Sequence, residues 1–471
     1  MNQKKLYINT IGCQMNVYDS GQMAKVLKIE NYETVDLYTN ADLIIVNTCA
    51  IREKAVQKVY SFLGRLNDLK KKKPGLKVVV AGCVAQQQGV KLIKRFPQVD
   101  IVLGTHAINQ LPDLLKKIEQ FPQSIVATEM SEKIHETTIP GIATAKHRDV
   151  TGFVTIMRGC DNYCTYCVVP YVRGREISRK PKSIINEIRM LVQSGVKEIT
   201  LLGQNVNSYG VKEGLTSFPD LLAMVNDIDG LERIRFVTSH PKDLSDQLVE
   251  SFGNLDKVCN HIHLPIQSGS NHILKKMNRK YTREAYLEKI EKLRAVSPDI
   301  SITTDFIVGF PGETEEDFDH TIGLMDTVQY DSVFAFEYSD RPEAPASRFL
   351  DKIDSEVKHR RLLRLFKLQK EITKKKHQSL IGQTFSVLIE GGSKNQLKKI
   401  SPSATIELSG RTSENVIVNF DGPDWGIDIG LLKGQTVDVK IIKVFSNSLF
   451  GVLSKHQIEY LKSEGDHSHV A

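Results

Sequence analysis

Thr151-Gly-Phe-Val-Thr-Ile-Met157-Arg-Gly-Cys160-Asp-Asn-Tyr-Cys164-Thr-Tyr-Cys167 is the stretch on which the reading of this chain turns. Its apolar run, Phe153–Met157, predicts a short strand, and the cysteines follow at once. Three thiolates spaced by three and then two residues wrap one corner of a 4Fe–4S cube and leave its fourth iron without a protein ligand. A zinc knuckle or half of a ferredoxin site is the alternative. Zinc would want a fourth Cys or His at a matching spacing, and none lies nearby in the sequence. An open iron chelates a small molecule through an amine and a carboxylate. The methionine end of S-adenosyl-L-methionine (SAM) offers both, and the aromatic Tyr166 before the third cysteine favours that reading.

Downstream, strands are predicted near Glu198–Leu202, Arg233–Val237, Asn260–Leu264, Ser301–Val308 and Ser332–Tyr338. Helical patterns fill the gaps, among them Pro181–Ser194, Arg283–Ala295 and Thr314–Val328. Six such units suit a partial (β/α)6 barrel, since closure needs eight. Chemistry in these folds gathers at the carboxyl ends of the strands. There stand Gly203, Gln204 and Asn205, then Ser239, then Gln267, then Asp305 and Val308. With Tyr166 they are the predicted SAM contacts. His261 and His263 alternate along one strand and read as core histidines.

Upstream, Leu6–Thr10, Asp42–Asn47, Lys77–Ala81 and Val99–Leu103 are apolar runs, each followed by a helical pattern. That alternation predicts a doubly wound parallel sheet. Cys13, Cys49 and Cys83 fall at three successive strand ends, which in an open parallel sheet border one crevice. A second 4Fe–4S cluster is predicted there, the alternative being three small buried hydrophobes. Cys259 receives no role.

Past the barrel, Ser355–His377 reads as a basic helix, with Lys398, Lys399 and Arg411 beyond it. Thr384–Ile389, Thr405–Leu408, Asn415–Asn419, Thr436–Phe445 and Leu449–Leu453 read as five short strands, the size of a small all-β OB-like barrel. The predicted divisions are residues 4–121, a linker over 122–145, the barrel over 146–377, the all-β unit over 379–456 and a loose tail over 457–471. The fold class is therefore α/β, with a small all-β unit at its end.

At 471 residues the chain exceeds one ordinary core, and its 41% hydrophobic and 25% charged residues are globular proportions. The net charge of +7 permits a nucleic-acid partner without arguing for one. No stretch approaches a membrane span, and the first residues resemble no targeting peptide. The seven cysteines are not read as disulfides, since a cytoplasmic protein keeps its thiols reduced, and the spacing of six of them points to metal.

These motifs resemble the methylthiotransferase family over about Lys5 to Leu453. Its transfer-RNA (MiaB-type) branch is the more similar, through Gly12-Cys13-Gln14-Met15-Asn16, Asn47-Thr48-Cys49-Ala50, Cys164-Thr-Tyr-Cys167-Val-Val-Pro-Tyr171-Val-Arg173 and Leu202-Gly-Gln-Asn-Val-Asn207. Thr238-Ser-His-Pro241 and Glu407-Leu-Ser-Gly-Arg-Thr412 add to it. The resemblance implies a radical SAM core followed by a TRAM domain. It implies cluster ligation by Cys160, Cys164 and Cys167, and by Cys13, Cys49 and Cys83. The implied reaction adds a methylthio group to N6-isopentenyladenosine beside the anticodon, with one SAM as methyl donor and another as radical source. Implied partners are a tRNA anticodon stem-loop and a reductant such as a flavodoxin or ferredoxin, with the enzyme a monomer away from membranes. Runner-up readings are methylthiolation of threonylcarbamoyl-adenosine or of a ribosomal protein. An electron-transfer or sensing RNA-binding protein with two clusters is an answer of another class. One loop departs from the family pattern: Ser339-Asp-Arg-Pro-Glu343-Ala-Pro-Ala346 lacks the usual Gly and Thr.

Overall fold

The structure is a computed structural model and describes residues 3–50, 53–131, 149–394, 405–424 and 428–466. Much of the expected linker, together with Lys398 and Lys399, lies outside the described residues. Leu43–Thr48 is buried along its whole length and lies inside a six-stranded parallel sheet, as a continuous apolar run requires. Across the sheet the strands run Tyr32–Thr34, Lys4–Ile11, Leu43–Thr48, Lys77–Gly82, Ile101–Leu103 and Ile125–Ala127. Leu43, Ile45 and Val79 pack on Met23, Leu27 and Leu115. Their neighbours Ile44, Val46 and Val78 face Val59, Phe62 and Leu66. Both faces are thus covered by helices. The two edge strands were not anticipated, because three residues are too few to show a period. Ile125–Ala127 falls inside the stretch read as linker and pairs in parallel with Ile101–Leu103.

The central domain holds six parallel strands in two three-stranded groups. One comprises Thr151–Thr155, Glu198–Leu202 and Arg233–Phe236; the other comprises His261–His263, Ser301–Val308 and Ser332–Glu337. A single bridge, Ile234 to Val258, joins them into an open arc. Met157–Arg158 leaves the arc to pair antiparallel with Ile177–Ser178, so the cysteine loop is held at both ends.

Helix Ser355–Ser379 then leads to a closed five-stranded barrel. Its third strand is Ile417–Asp424, later than read from sequence. Asn415 belongs to the preceding turn with φ 68, a conformation Asn tolerates better than most residues. The tail is also corrected: Lys455–Asp466 is a helix, and Leu461 is fully buried in the barrel core.

Backbone carbonyls dock the barrel on the arc. Arg233 donates to the carbonyls of Arg411 and Ser386, at 2.6 and 3.1 Å. Arg235 donates to those of Ser413 and Thr412, at 2.8 and 2.7 Å. Among the described residues no helix is long and apolar enough to cross a membrane.

Candidate active site

The Cys160–Cys167 loop is fixed by its flanks. Gly159 has φ +79, and a Cβ there would lie 2.0 Å from the Arg175 carbonyl, so only glycine fits. Its N–H donates to the Gln204 side-chain oxygen. The Cys167 sulfur accepts the Val169 N–H at 3.4 Å. Arg279, buried and set between Asn278 and Lys280 at φ 58 and 60, donates to Cys164 Sγ at 3.3 Å and Tyr166 Oη at 3.2 Å. A further guanidinium N–H reaches the Pro265 carbonyl at 2.7 Å.

In the N-terminal sheet, Cys13 follows the first long strand, Cys49 the central one and Cys83 the next. Two buried amides tie their loops. Asn16 Nδ2 donates to Asn47 Oδ1 at 3.0 Å, and Asn47 Nδ2 donates to the Asn16 carbonyl at 2.8 Å. Arg173, from the central domain, crosses into this site. It donates to Asp19 at 2.8 Å and to Cys83 Sγ at 3.4 Å. Each cysteine group therefore meets one buried guanidinium. Neither was foreseen, because Arg173 is 90 residues from Cys83 and Arg279 is 115 from Cys164. Arg173 stands within a motif carrying the resemblance; Arg279 left no sequence signal.

Both groups open on one cavity of about 2470 Å³. Cys13 and Cys49 line one part, and Cys160, Cys164 and Cys167 line another. Tyr166, Gln204, Ser239, Gln267 and Asp305 join the lining, and the cavity continues to the terminal barrel at Arg411 and Asn415. Cys83 stands behind the wall, buried. Gln267 holds φ 79 while its N–H and carbonyl bridge Asp305 and Ile307, a strained backbone of the kind that marks functional sites.

Three expected SAM contacts are not in this lining. A Cβ on Gly203 would meet Met157 Cγ at 2.5 Å, so this glycine serves packing. The Asn205 amide turns to Ser208 and Asp243, at 2.9 and 2.7 Å. Val308 belongs to the hydrophobic core. His261 and His263 both hydrogen-bond Thr303 Oγ1, at 3.2 and 3.0 Å, as core histidines do, though both also face the cavity.

The thiols differ electrostatically. A hydrogen bond from Cys49, the Arg173 charge and backbone N–H groups at a helix start hold Cys13 down to about 6 against its burial. Burial pushes Cys160 up to about 11 and Cys167 up to about 12. Among the described residues no three His, Cys, Asp or Glu groups close around a single metal ion. A cube is wider than an ion. Soft sulfur donors in two groups, five of the six on the cavity wall with Cys83 just behind it, and each group facing a buried cation, suit an anionic iron–sulfur cluster.

Three family descriptions match in succession: uncharacterized protein family UPF0004 over residues 5–104, the radical SAM superfamily over 154–325 and the TRAM domain over 378–453. Among solved structures, the radical SAM methyltransferase TsrM of Kitasatospora setae, with cobalamin and a [4Fe–4S] cluster bound, aligns at TM-score 0.56 and 14% identity. That match covers 74% of this chain and 77% of that one, and speaks to the fold alone. Proteins named tRNA-2-methylthio-N(6)-dimethylallyladenosine synthase are much nearer. The one from Desulfosudis oleivorans is 52% identical, covering 95% of this chain and 96% of its own. That from Syntrophus aciditrophicus is 49% identical over 96% and 95%. That from Clostridium botulinum strain Loch Maree is 48% identical over 95% and 96%. The chain belongs to the tRNA-2-methylthio-N(6)-dimethylallyladenosine synthase family, radical SAM enzymes that work with SAM and 4Fe–4S clusters.

Proposed function

We propose that this chain converts N6-isopentenyladenosine, on the 3′ side of the tRNA anticodon, to its 2-methylthio derivative. One SAM gives the methyl group and another is the radical source. The observation that carries the reading is the single cavity shared by both cysteine groups and the TRAM barrel. In this reading Cys160, Cys164 and Cys167 hold one 4Fe–4S cluster, and Cys13, Cys49 and Cys83 hold the other. Bound there, the clusters supply an electron for reductive cleavage of SAM and an iron that carries sulfur. Arg279 and Arg173 offset the negative charge of the thiolates they touch. Tyr166, Ser239, Gln267 and Asp305 face SAM, while Gln204 holds the cysteine loop through Gly159.

Charge on helix Ser355–Ser379 divides in a way that favours RNA. Arg361 is buried on Glu313, and Arg364 pairs with Asp319, at 2.8 Å each. Lys370 and Lys374 instead line the cavity beside the TRAM barrel, which His377 meets through the Phe445 carbonyl at 3.1 Å. These groups grip the anticodon stem-loop, and the target base leaves its stack to enter the cavity. A flavodoxin or ferredoxin supplies electrons to a cytoplasmic monomer.

The test replaces Cys13, Cys49 and Cys83 with Ala in anaerobically reconstituted protein. SAM cleavage to 5′-deoxyadenosine should persist while the methylthio nucleoside disappears from mass spectra of the RNA. Loss of both, with the other cluster still present by spectroscopy, overturns the assignment of roles.

A further inference from the structure

We infer that Phe334 and Phe336 form the wall that receives the apolar N6 chain of the substrate base, and so select it. This rests on the substrate reading above. Strand Ser332–Glu337 alternates in burial: Val333 and Ala335 belong to the hydrophobic core, Val333 also touching the cavity, while the more exposed Phe334 and Phe336 face it. They are 50% and 41% exposed there. Two phenylalanines one residue apart, each about half exposed on a cavity wall, mark a surface that an apolar ligand covers.

The patch spans two strands. Asp305 pairs with Phe334 and Ile307 with Phe336 on the adjoining strand, and Ile307 also lines the cavity. The His263 ring stands edge-on to Phe334 at 6.0 Å and fixes its face. Ile307 and Tyr166 pack against the same small apolar cluster, so the patch borders the Cys160–Cys167 loop. A base bearing its branched hydrocarbon against these rings therefore has its reacting carbon near that loop. The carboxylates of Asp305 and Glu337, the latter 3.2 Å from His359, also stand on the cavity wall.

Anticodon stem-loops carrying adenosine or N6-dimethylallyladenosine at the target position test this. Their dissociation constants are compared for wild type, Phe334→Ala/Phe336→Ala and Phe334→Leu/Phe336→Leu. Wild type should prefer the dimethylallyl RNA by about tenfold or more, as hydrocarbon pockets do. The alanine variant should lose most of that preference with its affinity for unmodified RNA intact, and the leucine variant should keep most of it. Equal loss of affinity for both RNAs would make the rings base-stacking platforms and overturn the inference, as would an unchanged preference in the alanine variant. A wild type indifferent to the chain would overturn the substrate reading, and this one with it.

Discussion

Replacing Arg173 with Met should separate the N-terminal sheet from the central domain. The side chain is 4% exposed and its Asp19 partner 9%, with N and O 2.8 Å apart. Arg173 sits in the central domain, whereas Asp19 lies on helix Gln14–Ile29. Taking away the cation leaves a carboxylate buried without its partner, a loss of about 3–5 kcal/mol for enclosed pairs. The Cys83 contact at 3.4 Å adds little in comparison. Amide hydrogen exchange along helix Gln14–Ile29, in reduced protein without clusters, reads the change locally. Its opening free energy should fall by about 3 kcal/mol or more in Arg173→Met. Arg173→Met/Asp19→Asn should recover at least about half, since no buried charge is then stranded. A loss below about 1 kcal/mol, or a double variant as weak as the sum of its parts, refutes this reasoning.

Two further outcomes concern other parts of the molecule. Burial alone would raise the Asp317 carboxyl, yet hydrogen bonds from Ser270, the Thr314 backbone, His272 and Thr314 Oγ1 hold it down to about 2. Its folded pKa lies below the ordinary 3.8, so its stabilisation is present above pH 4 and lost as pH falls toward 2. That amounts to about 2 kcal/mol for a shift of nearly two units, and Asp317→Asn should flatten this limb of the stability profile in denaturant titrations. Lys370→Ala/Lys374→Ala should weaken stem-loop binding and reduce the slope of log K against log salt by about 1.4, taking about 0.7 per lost contact. An unchanged slope would remove these lysines from the RNA-binding face.

What the sequence disclosed was what repeats locally. Fully apolar runs such as Ile44–Val46 predict central parallel strands, and cysteines just past such runs must border the crevice at the carboxyl edge. Arg279 could not be anticipated, because its meaning lies in a contact with Cys164, 115 residues away and several strands and helices earlier in the chain. Gly203 and Val308 were chosen for their positions at strand ends, and the structure adds what sequence could not show: Met157 packs beside the one and the hydrophobic core encloses the side chain of the other. Glu343, which departs from the family pattern, accepts a hydrogen bond from Gln87 at 2.6 Å and ties its loop to the N-terminal domain.

The grip of Arg233 and Arg235 on the terminal barrel is aimed at main-chain oxygens, with Ser413 Oγ, which accepts the Asn260 N–H at 2.8 Å, as a side-chain supplement. Carbonyls are supplied by every amino acid, so this seat tolerates turnover of the residues displayed around it. Substitutions among the outward side chains of the turn at residues 412–415 leave the seat of the barrel on the central domain intact. Assembly and side-chain identity are therefore carried by different atoms of the same few residues.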